Sequence, residues 1–201
     1  MSGYFAIAVS RSSGSGGKEV ARKIAEKFGI SFYDKEILTE AAQRSGLNPT
    51  LFHEKDEKRA NSFLYSVAMG SQIEEAPISQ KLFMAQFDAI QKLAESGSCV
   101  FLGRCADYAL RDYPNLVSVF VHAPLEYRIK QTMELYSMDE KKARNFVSKT
   151  DKDRSGYYSF YSGKRWGDID NYHLCIDSSC CGPDGTAEAI KYFAETKLGL
   201  R

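Results

Sequence analysis

Apolar and polar positions fall into short blocks along this chain. Tyr4 to Val9 is an apolar run long enough for a buried strand, and it stops at Ser10. Beyond a cluster of glycines, Val20, Ile24 and Phe28 recur every four residues, with Ala21 and Ala25 beside them. That spacing predicts a helix with one apolar face, closed by Gly29 in the position where helices commonly turn left-handed. "ISFYD" (30–34) reads as a second strand, and "CVFLGR" (99–104), "LVSVFVHA" (116–123) and "HLCID" (173–177) as three more.

Between Lys35 and Gly97 the pattern is charged, lacks a convincing strand, and predicts helices around 35–45, 48–68 and 77–96. The last is the clearest, with Pro77 at a first helical position and Phe83, Phe87, Ile90 and Ala94 as its stripe. The segment 35–97 reads as a helical insertion within a single domain spanning 1–201. "RCADYALRDYP" supplies a short helix and Pro124 to Tyr136 another. Ser137 and Glu140 form an S-x-x-E capping signature for the charged helix that follows, and the terminal "TAEAIKYFAETKLG" carries Ile190, Phe193, Ala194 and Leu198 on one side. Strands alternating with helices predict an α/β fold: a five-stranded parallel sheet with right-handed crossovers and both faces covered.

Composition narrows the picture by exclusion. The chain has 201 residues, 43% of them hydrophobic, enough to bury one substantial core. With 27 basic and 26 acidic residues, net charge gives no reason to expect nucleic acid or an anionic membrane as partner. The five cysteines (Cys99, Cys105, Cys175, Cys180, Cys181) have no disulfide or zinc spacing, and no leader or membrane span is visible. Reduced thiols in a cytoplasmic protein are the expected state. None of His53, His122 and His173 has a second metal ligand at helical spacing, so they read as core or strand-end residues. The 35–97 segment, aromatic-rich and exposed in pattern, is compatible with a homodimer without requiring one.

The candidate chemistry lies where the first strand meets the first helix. In "SRSSGSGGKEV", Ser13, Gly14, Ser15, Gly16, Gly17, Lys18 and Glu19 make a glycine-rich turn in the strand–turn–helix context that gives such a turn meaning. Successive backbone N–H groups can curve around an anion at the partially positive helix end, and a lysine there can reach the terminal phosphates of a nucleotide. Against G-x-x-x-x-G-K-[ST], Gly17 and Lys18 fit, while Ser12 replaces the first glycine and Glu19 the hydroxyl residue. A strand–helix turn that merely tolerates glycine is the competing reading.

Farther along, the segment from Arg128 to Arg165 is rich in cations. Lys141, Arg144 and Lys152 fall within a helical sector of about 80°. Asp139, Glu140, Asp151 and Asp153 interleave with them, so most of this charge reads as an ordinary solvated helix face. "SGYYSFYSGKRWGD" reads either as a base-stacking platform or as packing at a hinge.

The order of "SRSSGSGGKEVARKIAEKFGISFYDKEIL", "VFLGRCADY", "VFVHAPLEYRIKQ", "DKDR", "YYSFYSGKRWGD" and "YHLCIDSS" resembles the cytidylate kinase-like family of nucleoside monophosphate kinases, over nearly the whole chain. The resemblance implies a three-layer P-loop kinase fold with a helical monophosphate-binding insertion (35–97) and a mobile helical lid (137–167). It implies ATP-dependent transfer of the γ-phosphoryl group to a nucleoside monophosphate or similar small phosphorylated acceptor. The loop Ser13–Glu19 would hold ATP, Lys18, Arg154 and Arg128 would be catalytic, and Asp34 and Arg104 would bind the acceptor. The sequence departs from the family pattern where the acceptor is read. Leu102 and Cys105 replace two aspartates around Arg104, and Lys35, Glu36 and Glu40 replace the residues after Asp34, so CMP is not specified. Val20 replaces a threonine after the lysine, so magnesium is expected to be held mainly through the nucleotide, with no protein ligand identified. A nucleotide-binding regulatory protein of the same fold without transferase activity is the rival reading.

Overall fold

The computed structural model describes residues 3–34 and 76–200, with the side chains of 76–82 excepted. The helices expected at 35–45 and 48–68, and His53 with them, lie outside the described residues. The elements follow the predicted order. Strand β1 (Ala6–Arg11) leads into α1 (Gly17–Phe28) and β2 (Ser31–Tyr33); α2 (Ala76–Ser96), β3 (Cys99–Leu102) and the short α3 (Ala106–Ala109) follow. The chain continues through β4 (Leu116–His122), α4 (Leu125–Tyr136), α5 (Glu140–Ser162), β5 (Leu174–Asp177) and α6 (Gly182–Leu198). All pairings are parallel and the strand order is β2-β3-β1-β4-β5, so β1 lies at the centre with β3 and β4 on either side.

The two faces of β1 differ in bulk, and the difference sorts the helices. Ile7 and Val9 point into a cluster with Val20 and Ile24 of α1, Val117 and Val119 of β4 and Ile190 of α6. Each of these is essentially sealed from solvent, which contributes roughly 1.5–3 kcal/mol per side chain. Ala6 and Ala8 face the other way, where small side chains let Phe101 of β3 and Ile90 and Ala94 of α2 approach closely. Of the stripe expected on α2, Phe83, Ile90 and Ala94 are buried and Phe87 packs at the edge. Gly29 closes α1 in the left-handed region at φ 64°, as its position predicts.

Helix α5 has its own fastenings. Ala143 and Val147 pack on Ile129 of α4, while Tyr157 and Tyr158 pack with Phe83 of α2 and Cys105. The Tyr158 hydroxyl donates to Asp107 Oδ2 at 2.7 Å and joins α5 to α3. Arg144 is paired with Glu126 and Glu140 on the surface, in keeping with a solvated helix face.

One capping expectation is overturned. Ser137 does not cap α5; it closes α4 in the left-handed region (φ 51°), and the Asp139 carboxylate accepts the Lys142 N–H at 2.8 Å instead. The interhelix turn is only three residues long, so Ser137 is already committed to ending the preceding helix, and an aspartate two residues on is a competent cap. Asp139→Ala is therefore expected to lower the thermal midpoint by about 2–4 °C. Ser137→Gly should raise it or leave it unchanged, since glycine relieves the positive φ. Equal losses in the two variants would restore Ser137 as the cap.

Candidate functional site

Strand β1 ends at Arg11, and the chain turns through residues 12–16 into α1. Gly14 and Gly16 are left-handed at φ 78° and 72°, the alternation from which backbone anion cradles are built. Gly16 caps α1 without any side-chain hydrogen bond, so the first amides of the helix are left to a ligand or water at its partially positive end.

The cradle is gripped from beneath. The Ser13 N–H donates to Asp151 Oδ1 at 2.7 Å, and Arg128 Nη1 donates to the other carboxylate oxygen at 2.6 Å and to the Ser13 carbonyl at 3.1 Å. Arg128 Nε donates to the Ala123 carbonyl at 3.0 Å. Ser178, from the turn after β5, donates to the Ser15 carbonyl at 2.6 Å, and Ser15 Oγ lies 3.2 Å from the Val121 carbonyl. Gly14 rests directly on α4: a Cβ there would collide with the Arg128 carbonyl oxygen and sit 2.9 Å from Thr132 Oγ1.

Above the loop opens a cleft of about 650 Å³. Its floor is Ser13, Gly14, Gly16, Gly17, Lys18 and Glu19; its far wall, from α4 and α5, is Leu135, Tyr136 and Phe146, with Arg154 also lining it. The Tyr136 and Phe146 rings lie 5.2 Å apart. Leu135 and Tyr136 are exposed, although both are large and apolar or aromatic. The cavity thus joins a polar, amide-rich end to an apolar one.

The charged residues named from sequence take up distinct positions. Lys18 Nζ pairs with Asp34 Oδ2 at 3.0 Å, the lysine side chain 56% exposed and the aspartate 12%. Arg154 Nη1 donates to the Arg11 carbonyl at 3.1 Å. Arg128 lies beneath the loop, its charge met by Asp151. Arg104 is buried, donates through Nε and Nη2 to Gln86 Oε1, and lies over the Tyr157 ring with its guanidinium carbon 4.4 Å from the centroid. It occupies a run of left-handed residues, Gly103, Arg104 and Cys105 (φ 73°, 59° and 55°), unusual for side-chain-bearing residues and a common mark of functional turns. A small second cleft is lined by Arg11, Gly103, Arg104, Arg154, Tyr157 and Trp166.

The described residues form no all-protein metal cage, and magnesium at a nucleotide site needs only one or two carboxylates beside the phosphates. No group of three carboxylate, cysteine or histidine side chains converges among the described residues. Val20 is fully buried in the α1 core, where an unpaired hydroxyl would cost about 1–3 kcal/mol, and Glu19 is turned toward Lys23 at the surface.

Sequence reasoning passed over four residues that shape this region: Arg11, Gln86, Asp151 and Ser178. In the sequence Asp151 reads as one of the solvated helix charges, and only the packing of α5 against α4 turns it inward. Arg11 carried a signal, as a lone cation ending an apolar strand immediately before the glycines.

A parallel sheet of this order, with its glycine turn at the end of the central strand, is the fold of P-loop kinases. The chain matches the cytidylate kinase-like family over residues 6–180 and belongs to that family. Among solved structures, an uncharacterized protein from Eubacterium ventriosum ATCC 27560 is 34% identical, with a TM-score of 0.72 over 98% of this chain and 99% of its own. A shikimate kinase from Bacteroides thetaiotaomicron is 11% identical, with a TM-score of 0.53 over 97% of this chain and 98% of its own, and shares the fold. No curated protein matches the sequence.

Two outcomes are expected from this geometry. Gly14→Ala should cost at least about 1–2 kcal/mol in urea unfolding, from the left-handed backbone alone. Gly97→Ala, where a Cβ meets nothing within 4 Å, should be close to neutral; a neutral Gly14→Ala would contradict the packing described. Asp107 is the second case. Burial pushes its carboxyl above the usual carboxylate range, only partly offset by the Tyr158 hydroxyl. The folded state therefore holds this proton more tightly than the unfolded chain. Stability from this group is full below the ordinary carboxylate pKa and is lost as pH rises through the folded value. Asp107→Asn should flatten that decline in urea midpoints measured against pH, and an unchanged slope would remove Asp107 as its source.

Proposed function

We propose that this chain is an ATP-dependent phosphotransferase of the nucleoside monophosphate kinase type, acting on a nucleoside monophosphate or similar small phosphorylated acceptor. The observation that carries the reading is the cleft itself, in which an uncapped helix and a glycine cradle face an apolar, aromatic wall across one cavity. Phosphates suit the first end and a nucleobase the second. Membership of the cytidylate kinase-like family supports the same reaction class.

In this reading the amides of Ser13 to Glu19 hold the donor phosphates, and Lys18, at the mouth of the cleft, adds positive charge. An acceptor phosphate oxygen, already deprotonated at neutral pH, attacks the γ-phosphorus. The bond to the β,γ-bridging oxygen breaks, and its electron pair leaves with ADP. Charge accumulating on the transferring group is offset by Arg154, which lines the cleft beside the loop. Arg128 acts as a positioning residue, because its guanidinium is engaged by Asp151 and the Ser13 carbonyl and holds the cradle's shape. Asp34 and Arg104 orient the acceptor, and residues 137–167 serve as the lid. Magnesium is carried mainly by the nucleotide.

The five cysteines are all free thiols, and among the described residues no helix is long and apolar enough to cross a membrane. Both features are compatible with the cytoplasmic setting proposed for a nucleotide kinase. The second reading, a nucleotide-binding protein without transferase activity, is favoured by two features: the residues after Lys18 offer no metal-binding hydroxyl, and Leu102 and Cys105 stand where the family's acceptor-site aspartates would.

Thermal stabilisation by millimolar ATP is expected, and its absence would sink both readings. A coupled ADP-release assay across CMP, dCMP, UMP, AMP, GMP and small phosphorylated acceptors should show acceptor-dependent turnover. None anywhere in that panel would favour the binding protein. Arg154→Ala should lower kcat by about 100-fold or more with little change in ATP affinity. Parallel losses in both would contradict its assigned role.

A further inference from the structure

The side chain of Arg11 fills the space that belongs to Gly17. A Cβ added at Gly17 would collide with Arg11 Cβ and lie 2.9 Å from its Cγ, so only one of these two positions can carry a side chain. At its other end Arg11 reaches Gly103, where an added Cβ would collide with Nη1 and lie 3.3 Å from the guanidinium carbon. Two glycines thus leave room for one arginine, its stem against the opening of α1 and its head beside the Gly103–Cys105 turn. It lines both the donor cleft and the smaller cleft next to Arg104.

The phosphate-loop pattern G-x-x-x-x-G-K can be laid on this chain in a second register. Gly16 is the left-handed residue before the helix and Gly17 its first residue, so the pattern's glycine–lysine pair falls on Gly16 and Gly17 and its first glycine on position 11. In that register the chain has arginine where the pattern has glycine, and glycine where it has lysine. The steric conflict between the two positions makes this an exchange: the cation is kept and the residue supplying it has moved from the helix to the strand end. Lys18 is then one position beyond the pattern's lysine, which agrees with its exposed ammonium pairing with Asp34.

We propose that Arg11 supplies the cation that this loop places on the terminal phosphates of a bound nucleoside triphosphate, and that its reach to Gly103 carries that charge to the boundary with the acceptor cleft. The proposal rests on the donor-site reading above. A guanidinium adds a fork of donors to the charge, and so can hold two phosphoryl oxygens where an ammonium offers a point contact.

Calorimetric titration of ATP into the full chain tests it, with the thermal midpoint of each unliganded variant read alongside. Arg11→Gln should weaken ATP about 10–100-fold, and Arg11→Lys less. Lys18→Gln should also weaken ATP less than Arg11→Gln does. The paired change Arg11→Gly with Gly17→Lys should recover most of the affinity lost on Arg11→Gly alone, which a merely structural role for Arg11 would not produce. Wild-type protein that binds no ATP would sink the donor-site reading, and this proposal with it. Wild-type protein that binds ATP while Arg11→Gln stays within about threefold of it would overturn this proposal alone. The reverse order of Lys18 and Arg11 losses, or no recovery in the exchanged variant, would also overturn it.

Discussion

The Asp151 carboxylate is the contact on which the site's shape depends. One oxygen accepts the Ser13 amide and the other the Arg128 guanidinium, so a single side chain from α5 fixes both the loop and the helix beneath it. The pair is largely shielded, at 14% and 21% side-chain exposure. Charges withdrawn from water in this way hold geometry more than they add stability, because desolvation offsets much of their attraction while loss of either partner strands the other. Three residues on, and so on the same side of the helix, Arg154 donates to the Arg11 carbonyl. Helix α5 therefore holds the glycine turn at Ser13 and the strand end just before it at Arg11.

A second constraint comes from the sheet. All five strands run parallel, so their carboxyl ends and the loops after them gather along one edge. Arg11 ends the central strand and the Gly103–Cys105 turn follows its neighbour β3, which makes the two clefts adjacent by topology alone. The bulk of Ile7 and Val9 on one face and the small Ala6 and Ala8 on the other decide which helices approach each side. On the latter side, α2 comes close enough for Gln86 to meet Arg104.

Much of the fold could be read from the residues because periodicity is a local property. Val20, Ile24 and Phe28 define a helix face whatever surrounds them, Gly29 marks its end, and each strand is a mostly apolar run between polar turns. Position 137 shows the limit of such reading. Ser137 and Glu140 satisfy a capping pattern, but the pattern cannot tell that Ser137 is already closing α4, since a three-residue turn serves two helices at once. Asp151 and Arg128 show the same limit for charge. Both stand among other ionic residues, and nothing in their neighbours along the chain distinguishes a clamp from a solvated pair.

By itself the sequence determined the order of the described elements, the parallel α/β class, the glycine turn at the end of the first strand and the family. It also located the departures at Val20, Leu102 and Cys105. Only the tertiary structure decided which cations face the cradle and which brace it, that Lys18 turns to Asp34, and that Arg11 lies across Gly17 and Gly103. The physical reason is distance along the chain: backbone preference and hydrophobic period act over a few residues. The site's contacts join Ser13 to Asp151, Ser15 to Ser178, and Arg11 to Gly103 and Arg154, which become neighbours only once the sheet has assembled.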